Sequence, residues 1–152
     1  MKKVFLFLVV LVPWFFSSLF IRDVNFYSTL NLPFFAPPSF LFGVVWPIVY
    51  LGIATSIYQL IRTFSFRGLP TTYKRVLLIN YLFNQSFAFT FFLLKSPFLG
   101  FISTIGTFIS SLFLYEETSK LQEKSTKYLN LYILWGLFAT VLALTIYILN
   151  AK

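Results

Sequence analysis

Asn80 and Asn84 stand four residues apart in the run 76–94, which holds no Lys, Arg, Asp or Glu. On a helix that spacing puts both carboxamides on one face, and Phe87 and Phe91 continue the stripe. A carboxamide in apolar surroundings costs free energy unless its donors and acceptors are paired. Two uses are open. The amides can bind neighbouring helices, at about 0.6 kcal/mol per bond on average, or they can aim donors at a ligand. Gln85 projects about 100° from Asn84 and flanks the site or faces another helix. Trp46 and Tyr50 form a second pair at helical spacing, beside Pro47, which cannot donate to the carbonyl of Gly43 and predicts a kink. On a third stretch Trp135, Ala139 and Leu142 share a face, where a large aromatic followed one turn later by a small residue makes a slot. Each pair reads equally well as a pocket wall or as helix packing.

Several chemistries are excluded by what the chain lacks. It has no Cys and no His. Ser–His–Asp catalysis, His-ligated haem and the usual zinc sites therefore have no residues to build them. No metal site and no resident cofactor are expected. The four acidic residues are Asp23, Glu116, Glu117 and Glu123. All fall outside the apolar runs, so no intramembrane carboxylate is available for proton coupling or hydrolysis.

The elements that must position these residues are membrane helices. Hydrophobic residues make up 59% of the 152-residue chain and charged residues 11%, with a mean hydropathy of +0.84. A soluble globule could not hide that surface. Five apolar runs, about 4–21, 40–61, 76–94, 98–115 and 128–149, approach the roughly 20 residues a spanning helix needs. The fold class is an all-α membrane protein, a single five-transmembrane-helix bundle over 1–152. The start of the first run resembles a secretory signal, yet it continues through Pro13 and Trp14 to Ile21 without an A-x-A site, so a retained helix is expected.

The net charge of +8 is spread over the short polar gaps, a pattern of membrane topology and not of nucleic-acid binding. Lys2, Lys3, Arg62, Arg67, Lys74, Arg75, Lys120, Lys124 and Lys127 fall on one side of a five-span bundle. Only Arg22, Lys95 and Lys152 fall on the other. The positive-inside rule then places the N-terminus in the cytoplasm and the C-terminus outside. The gap 22–39 is long, with Pro33, Pro37, Pro38 and the aromatics Phe26, Tyr27, Phe34 and Phe35. It is expected to fold back as a lid over the mouth of the bundle; the alternative is an interfacial loop among the headgroups. Gly52 with Ser56, and Ser103, Thr107 and Ser111, form small-residue lines that let helices approach closely. Packing within the bundle is the favoured use and a homodimer face the other.

Taken together, Ala36-Pro-Pro-Ser-Phe-Leu-Phe-Gly-Val-Val-Trp-Pro-Ile-Val-Tyr-Leu-Gly-Ile-Ala54, Asn80-Tyr-Leu-Phe-Asn-Gln-Ser-Phe87 and Leu134-Trp-Gly-Leu-Phe-Ala-Thr140 resemble the TspO/MBR family (tryptophan-rich sensory protein, translocator protein, peripheral benzodiazepine receptor). The asparagine segment looks like that of Gram-positive members. The resemblance implies a ligand pocket beneath the first loop for porphyrins such as protoporphyrin IX, sterols and benzodiazepine-type drugs. It assigns Tyr27 to the lid, Trp46 to the second helix, Asn84 and Phe87 to the third, and Trp135 and Ala139 to the fifth; Tyr50 and Asn80 join them from the helical spacing above. Family members are also described as promoting light-dependent porphyrin breakdown, which would rest on Trp46 and Trp135. Phe26, Phe35 and Phe40 stand where relatives are often richer in tryptophan. Phenylalanine stacks but is hard to oxidise, so ligand stacking survives the change better than photochemistry. Leu142, Tyr147 and Lys152 fit the loose sterol pattern. Arg22 near the lid is expected to meet a ligand carboxylate.

The function expected is a receptor, sensor or carrier for porphyrin-like and other hydrophobic ligands in a bacterial plasma membrane, with the lipid bilayer and the ligand as partners. The alternatives are a light- and oxygen-dependent porphyrin-degrading enzyme and a small scaffold subunit.

Overall fold

The computed structural model describes residues 2–21, 23 and 25–151. The roles expected of Arg22 and Lys152 therefore lie outside the described residues. Every regular element among those residues is helical: α1 (Lys2–Leu11), α2 (Phe40–Gly68), α3 (Thr71–Ala88), α4 (Pro97–Gln122) and α5 (Asn130–Asn150). Four helical stretches are long and apolar enough to cross a membrane: Lys2–Phe20, Phe40–Gly68, Thr71–Leu93 and Pro97–Asn150. The last joins α4 to α5 through a 3-10 segment, Glu123–Leu129. The Phe98 ring lies 5.2 Å from that of Tyr147, and Gly136 packs on Phe108, so α5 runs back antiparallel along α4. Large apolar side chains point outward along every stretch, with Phe5 69% and Leu134 66% exposed. In water this would be an aggregation surface; in a bilayer it is the face that meets lipid.

α2 and α4 run past the ends of the apolar runs that mark them in the sequence, and α3 starts before its own, because a helix continues into polar turns after the hydrocarbon ends. α2 extends to Gly68, and its non-helical backbone falls at Ser65 (φ 58°, ψ 159°). Helical dihedrals persist through Pro47, so the predicted kink does not interrupt the backbone there. α3 widens at its end, where Phe89–Leu93 forms a π-helical turn. Ser96 then caps α4, its hydroxyl accepting from the amide of Leu99, with Pro97 in the first turn, where no amide donor is required.

The first helix changes character at Pro13. From Val12 to Phe20 the chain is 3-10 helix, and α3 takes up the backbone groups this frees. The Tyr81 hydroxyl donates to the Pro13 carbonyl (3.0 Å). Gln85 Nε2 donates to the Trp14 carbonyl (3.2 Å), and its Oε1 accepts from the Ser17 amide (2.7 Å). Side chains of a neighbouring helix re-satisfy a proline-disturbed backbone, as a spanning segment requires.

The segment between α1 and α2 is tied down at both ends. Asp23 pairs with Lys95 in the α3–α4 turn (2.8 Å). The Asn31 amide donates to Asn150 Oδ1, and Asn150 Nδ2 donates back to the Asn31 carbonyl, both at 3.0 Å. Phe26 and Leu30 between these ties, and Leu32 and Phe35 after them, pack inward on a cluster around Tyr27, Phe91, Leu142 and Ile146. Phe34 is fully exposed. Lys95 holds the Asp23 carboxyl below its ordinary value. The tie is therefore complete above that ordinary value near 3.8 and is lost as pH falls below it through the lowered folded value. Asp23→Asn should leave thermal stability nearly unchanged, because solvent screens an exposed pair and leaves it little net attraction. Hydrogen exchange of residues 25–32 should rise in that variant at neutral pH; unchanged exchange would deny the tie any role in holding the segment.

Candidate ligand-binding cavity

A cavity of about 380 Å³ lies within the bundle beneath the α1–α2 segment, inside the range of roughly 300–1,000 Å³ typical of ligand pockets. Of the residues singled out in the sequence, Tyr27, Trp46, Tyr50, Asn84, Phe87 and Ala139 line it. Pro47, Phe91 and Leu142 also line it, with Phe42, Phe92, Thr104, Ala143 and Ile146, to which the helical spacing did not point. The Trp46 and Tyr50 rings lie 5.5 Å apart on one face of α2. Phe87 and Phe91 stack at 5.3 Å with 14° between planes. These flat apolar faces are interrupted by a few hydroxyls and one amide, and no charged side chain among the described residues lines the cavity. The Tyr27 hydroxyl donates to the Pro37 carbonyl (3.0 Å). Burial pushes its pKa above the ordinary value, so it remains a neutral donor.

Asn80 and Trp135 take other places. Asn80 is fully buried and every arm of its carboxamide is used between helices. Its Nδ2 donates to the Thr107 carbonyl (3.2 Å) and to Ser110 Oγ (2.9 Å), and its Oδ1 accepts from the Tyr132 hydroxyl (3.0 Å). Trp135 stands behind the wall, 5.2 Å from Phe138 and 5.9 Å from Phe42. Its indole N–H is buried without a hydrogen-bond partner among the described residues. The slot on α5 is therefore formed by Ala139 and Leu142 without it.

Asn84 serves both purposes. Its Oδ1 accepts from the Tyr50 hydroxyl (3.3 Å) and from Gln85 Nε2 (3.0 Å), while its Nδ2 donates to the Tyr132 hydroxyl (3.3 Å). One amide hydrogen is left at the cavity edge, since a carboxamide carries two. Gln85, Asn84, Tyr132 and Asn80 thus form one continuous chain of hydrogen bonds. It runs from the backbone of the first helix through α3 and α5 to α4, with Tyr50 joining it from α2. Gln85 does face another helix, the first, as one of its two expected uses. Tyr132 is the hidden member: a hydrogen-bonding side chain inside an apolar run, and that cost is the signal that marks it.

The small-residue line on α4 is buried at Ser103, Thr107 and Ser111, which places it inside the bundle. No cluster of metal-ligating side chains occurs among the described residues.

The helices and cavity define an all-helical membrane protein enclosing an apolar, aromatic-walled chamber. Residues 5–149 match the TspO/MBR family, and the chain belongs to that family. It is 34% identical over 134 residues to the tryptophan-rich protein TspO of Bacillus cereus, covering 88% of this chain and 86% of that one. An uncharacterized membrane protein of Bacillus subtilis, YtaB, is 31% identical over 132 residues, with 87% and 84% covered. The tryptophan-rich protein TspO of Archaeoglobus fulgidus is 28% identical over 133 residues, with 84% and 81% covered.

Proposed function

We propose that this protein is a membrane receptor or carrier that holds a flat hydrophobic ligand, of the porphyrin class, in the cavity beneath the α1–α2 segment. The observation that carries the reading is the cavity wall: stacked or tilted aromatic faces from α2 and α3, with the Asn84 amide and a few hydroxyls as the polar groups. A planar, largely apolar ligand with some hydrogen-bonding capacity matches such a wall. The bundle crosses the membrane five times, with the Pro97–Asn150 stretch supplying two crossings. A single straight helix of that length would be about 80 Å long, against a hydrocarbon core of about 30 Å. The Lys and Arg distribution puts the N-terminus in the cytoplasm of a bacterial plasma membrane. Binding is favoured over photochemical degradation because Trp135, one of the two tryptophans that activity would use, is not in the wall.

Titration of the protein in nanodiscs with protoporphyrin IX, followed by tryptophan quenching, tests this. Saturable quenching is expected, with Asn84→Ala weakening affinity about tenfold, the effect of losing one well-placed polar contact. Thermal melts of the variant separate lost affinity from unfolding. Metal-free porphyrin should bind at least as tightly as haem, because the chain offers neither His nor Cys to the iron. Linear quenching equal in all variants would mean partitioning into lipid and favour a scaffold role. A large preference for haem would defeat the stacking account.

A further inference from the structure

We infer that the cavity is loaded sideways from the bilayer, through a mouth between the 3-10 stretch of the first helix and the start of α2, with Gly43 as its sill. This deepens the reading of the cavity as a ligand site and rests on it. Its consequence is a ligand class: molecules dissolved in the lipid, not molecules arriving from water.

The cavity's exposed lining residues fall on two elements only, among the described residues. They are Phe15, Ser18 and Ile21 at the end of the first helix, and Ser39, Phe40 and Gly43 at the start of α2. Every other described lining residue is buried or half-buried, including Tyr27 from the loop above. Phe15, Ser18, Phe40 and Gly43 belong to stretches apolar enough to lie in the membrane, so the opening faces lipid. A side chain added at Gly43 would meet nothing within 4 Å, which marks open space at that point of the rim.

The cause of the opening is legible in the backbone. Up to Leu11 the first helix lies along α2, with Phe7 edge-on to Tyr58 at 5.6 Å. Beyond Pro13 its freed carbonyls and the Ser17 amide are captured by Tyr81 and Gln85 of α3. Phe20 also packs on Phe89, with centroids 5.7 Å apart. The chain is drawn onto α3, and the seam with α2 parts. At its floor Phe15 meets Tyr50 edge-on at 5.3 Å. The loop above is the less suitable door, since it is held by the Asp23–Lys95 pair, the reciprocal Asn31–Asn150 bonds and the Tyr27–Pro37 bond.

The absence of native cysteine allows a direct test. Thr104 is buried and lines the cavity, so Thr104→Cys puts a unique thiol deep inside with little change of shape. In nanodiscs, butyl methanethiosulfonate dissolved in the lipid should modify it, and a charged trimethylammonium analogue in the water should not. Adding Gly43→Phe should slow the butyl reaction about tenfold or more, while Asp23→Asn with Asn150→Ala should leave it within about twofold. Gly43→Leu and thermal melts guard against a misfolded variant. Faster labelling in the loop variant with no slowing at Gly43→Phe would overturn the inference, as would a thiol that neither reagent reaches. Gated labelling beside a flat protoporphyrin IX titration would sink the porphyrin reading and keep the mouth.

Discussion

Asn80→Ala should destabilise the protein by about 2–4 kcal/mol and change ligand affinity by less than about threefold. The carboxamide is fully buried and makes three hydrogen bonds, to Thr107, Ser110 and Tyr132. Its loss strands the Tyr132 hydroxyl, whose proton goes to Asn80 and whose lone pair already takes the Asn84 amide. A buried donor without a partner costs about 1–3 kcal/mol, and water cannot repair it inside the bundle. The small worth of an average membrane hydrogen bond, about 0.6 kcal/mol, sets the lower end. Two effects exceed that average here: several bonds fail together, and the truncation leaves a void among α3, α4 and α5. Asn80 does not touch the cavity, so affinity should survive. Asn84→Ala is the contrast, since it lines the cavity and should lose both. Thermal melts and protoporphyrin IX titrations on the two variants decide it. Equal affinity losses would mean the network acts on the cavity as one unit.

Gly52→Ala is expected to cost about 1–3 kcal/mol, the range of overpacking a filled interior. A β-carbon at Gly52 would lie 2.5 Å from the Tyr128 carbonyl oxygen. That atom is backbone, in the 3-10 turn between α4 and α5, so no side-chain rotation relieves the clash. Either α2 moves away or the turn does, and the nearby bond from Ser125 to Gln59 (3.0 Å) stretches with it. Gly43→Ala, in the same helix, has nothing to strike and should be neutral or stabilising by about 0.5–1 kcal/mol through backbone entropy. The pair isolates close approach from helix propensity. Equal thermal shifts in the two variants would show that the turn yields freely.

The apolar runs locate the helices, because the lipid-facing surface must be apolar whatever the helices' neighbours are. Helical spacing also pairs Trp46 with Tyr50 and Asn80 with Asn84, because the 3.6-residue repeat fixes which side chains share a face. What that repeat leaves open is which neighbour each face meets. Asn80 and Asn84 share a face, yet one is spent wholly between helices and the other reaches the cavity edge, a difference set by their depth along α3. Trp135 shares the face of Ala139 and falls behind the wall, because a rotation of α5 within its packing moves a side chain from one neighbour to another.

Pro13 is visible in the sequence. That Tyr81 and Gln85 take up the Pro13 and Trp14 carbonyls, and so part the first helix from α2, depends on side chains 68 and 71 residues away along the chain. The Asn31–Asn150 tie spans 119 positions and carries no local mark at either end. The sequence by itself determined a chain of apolar helices and the polar side chains that must find partners inside them, since burial without partners is too costly. The tertiary structure alone decided which partners they found, and with them where a cavity was left and on which side it opens. Helix rotation and depth are set by packing between elements, and no single element encodes them.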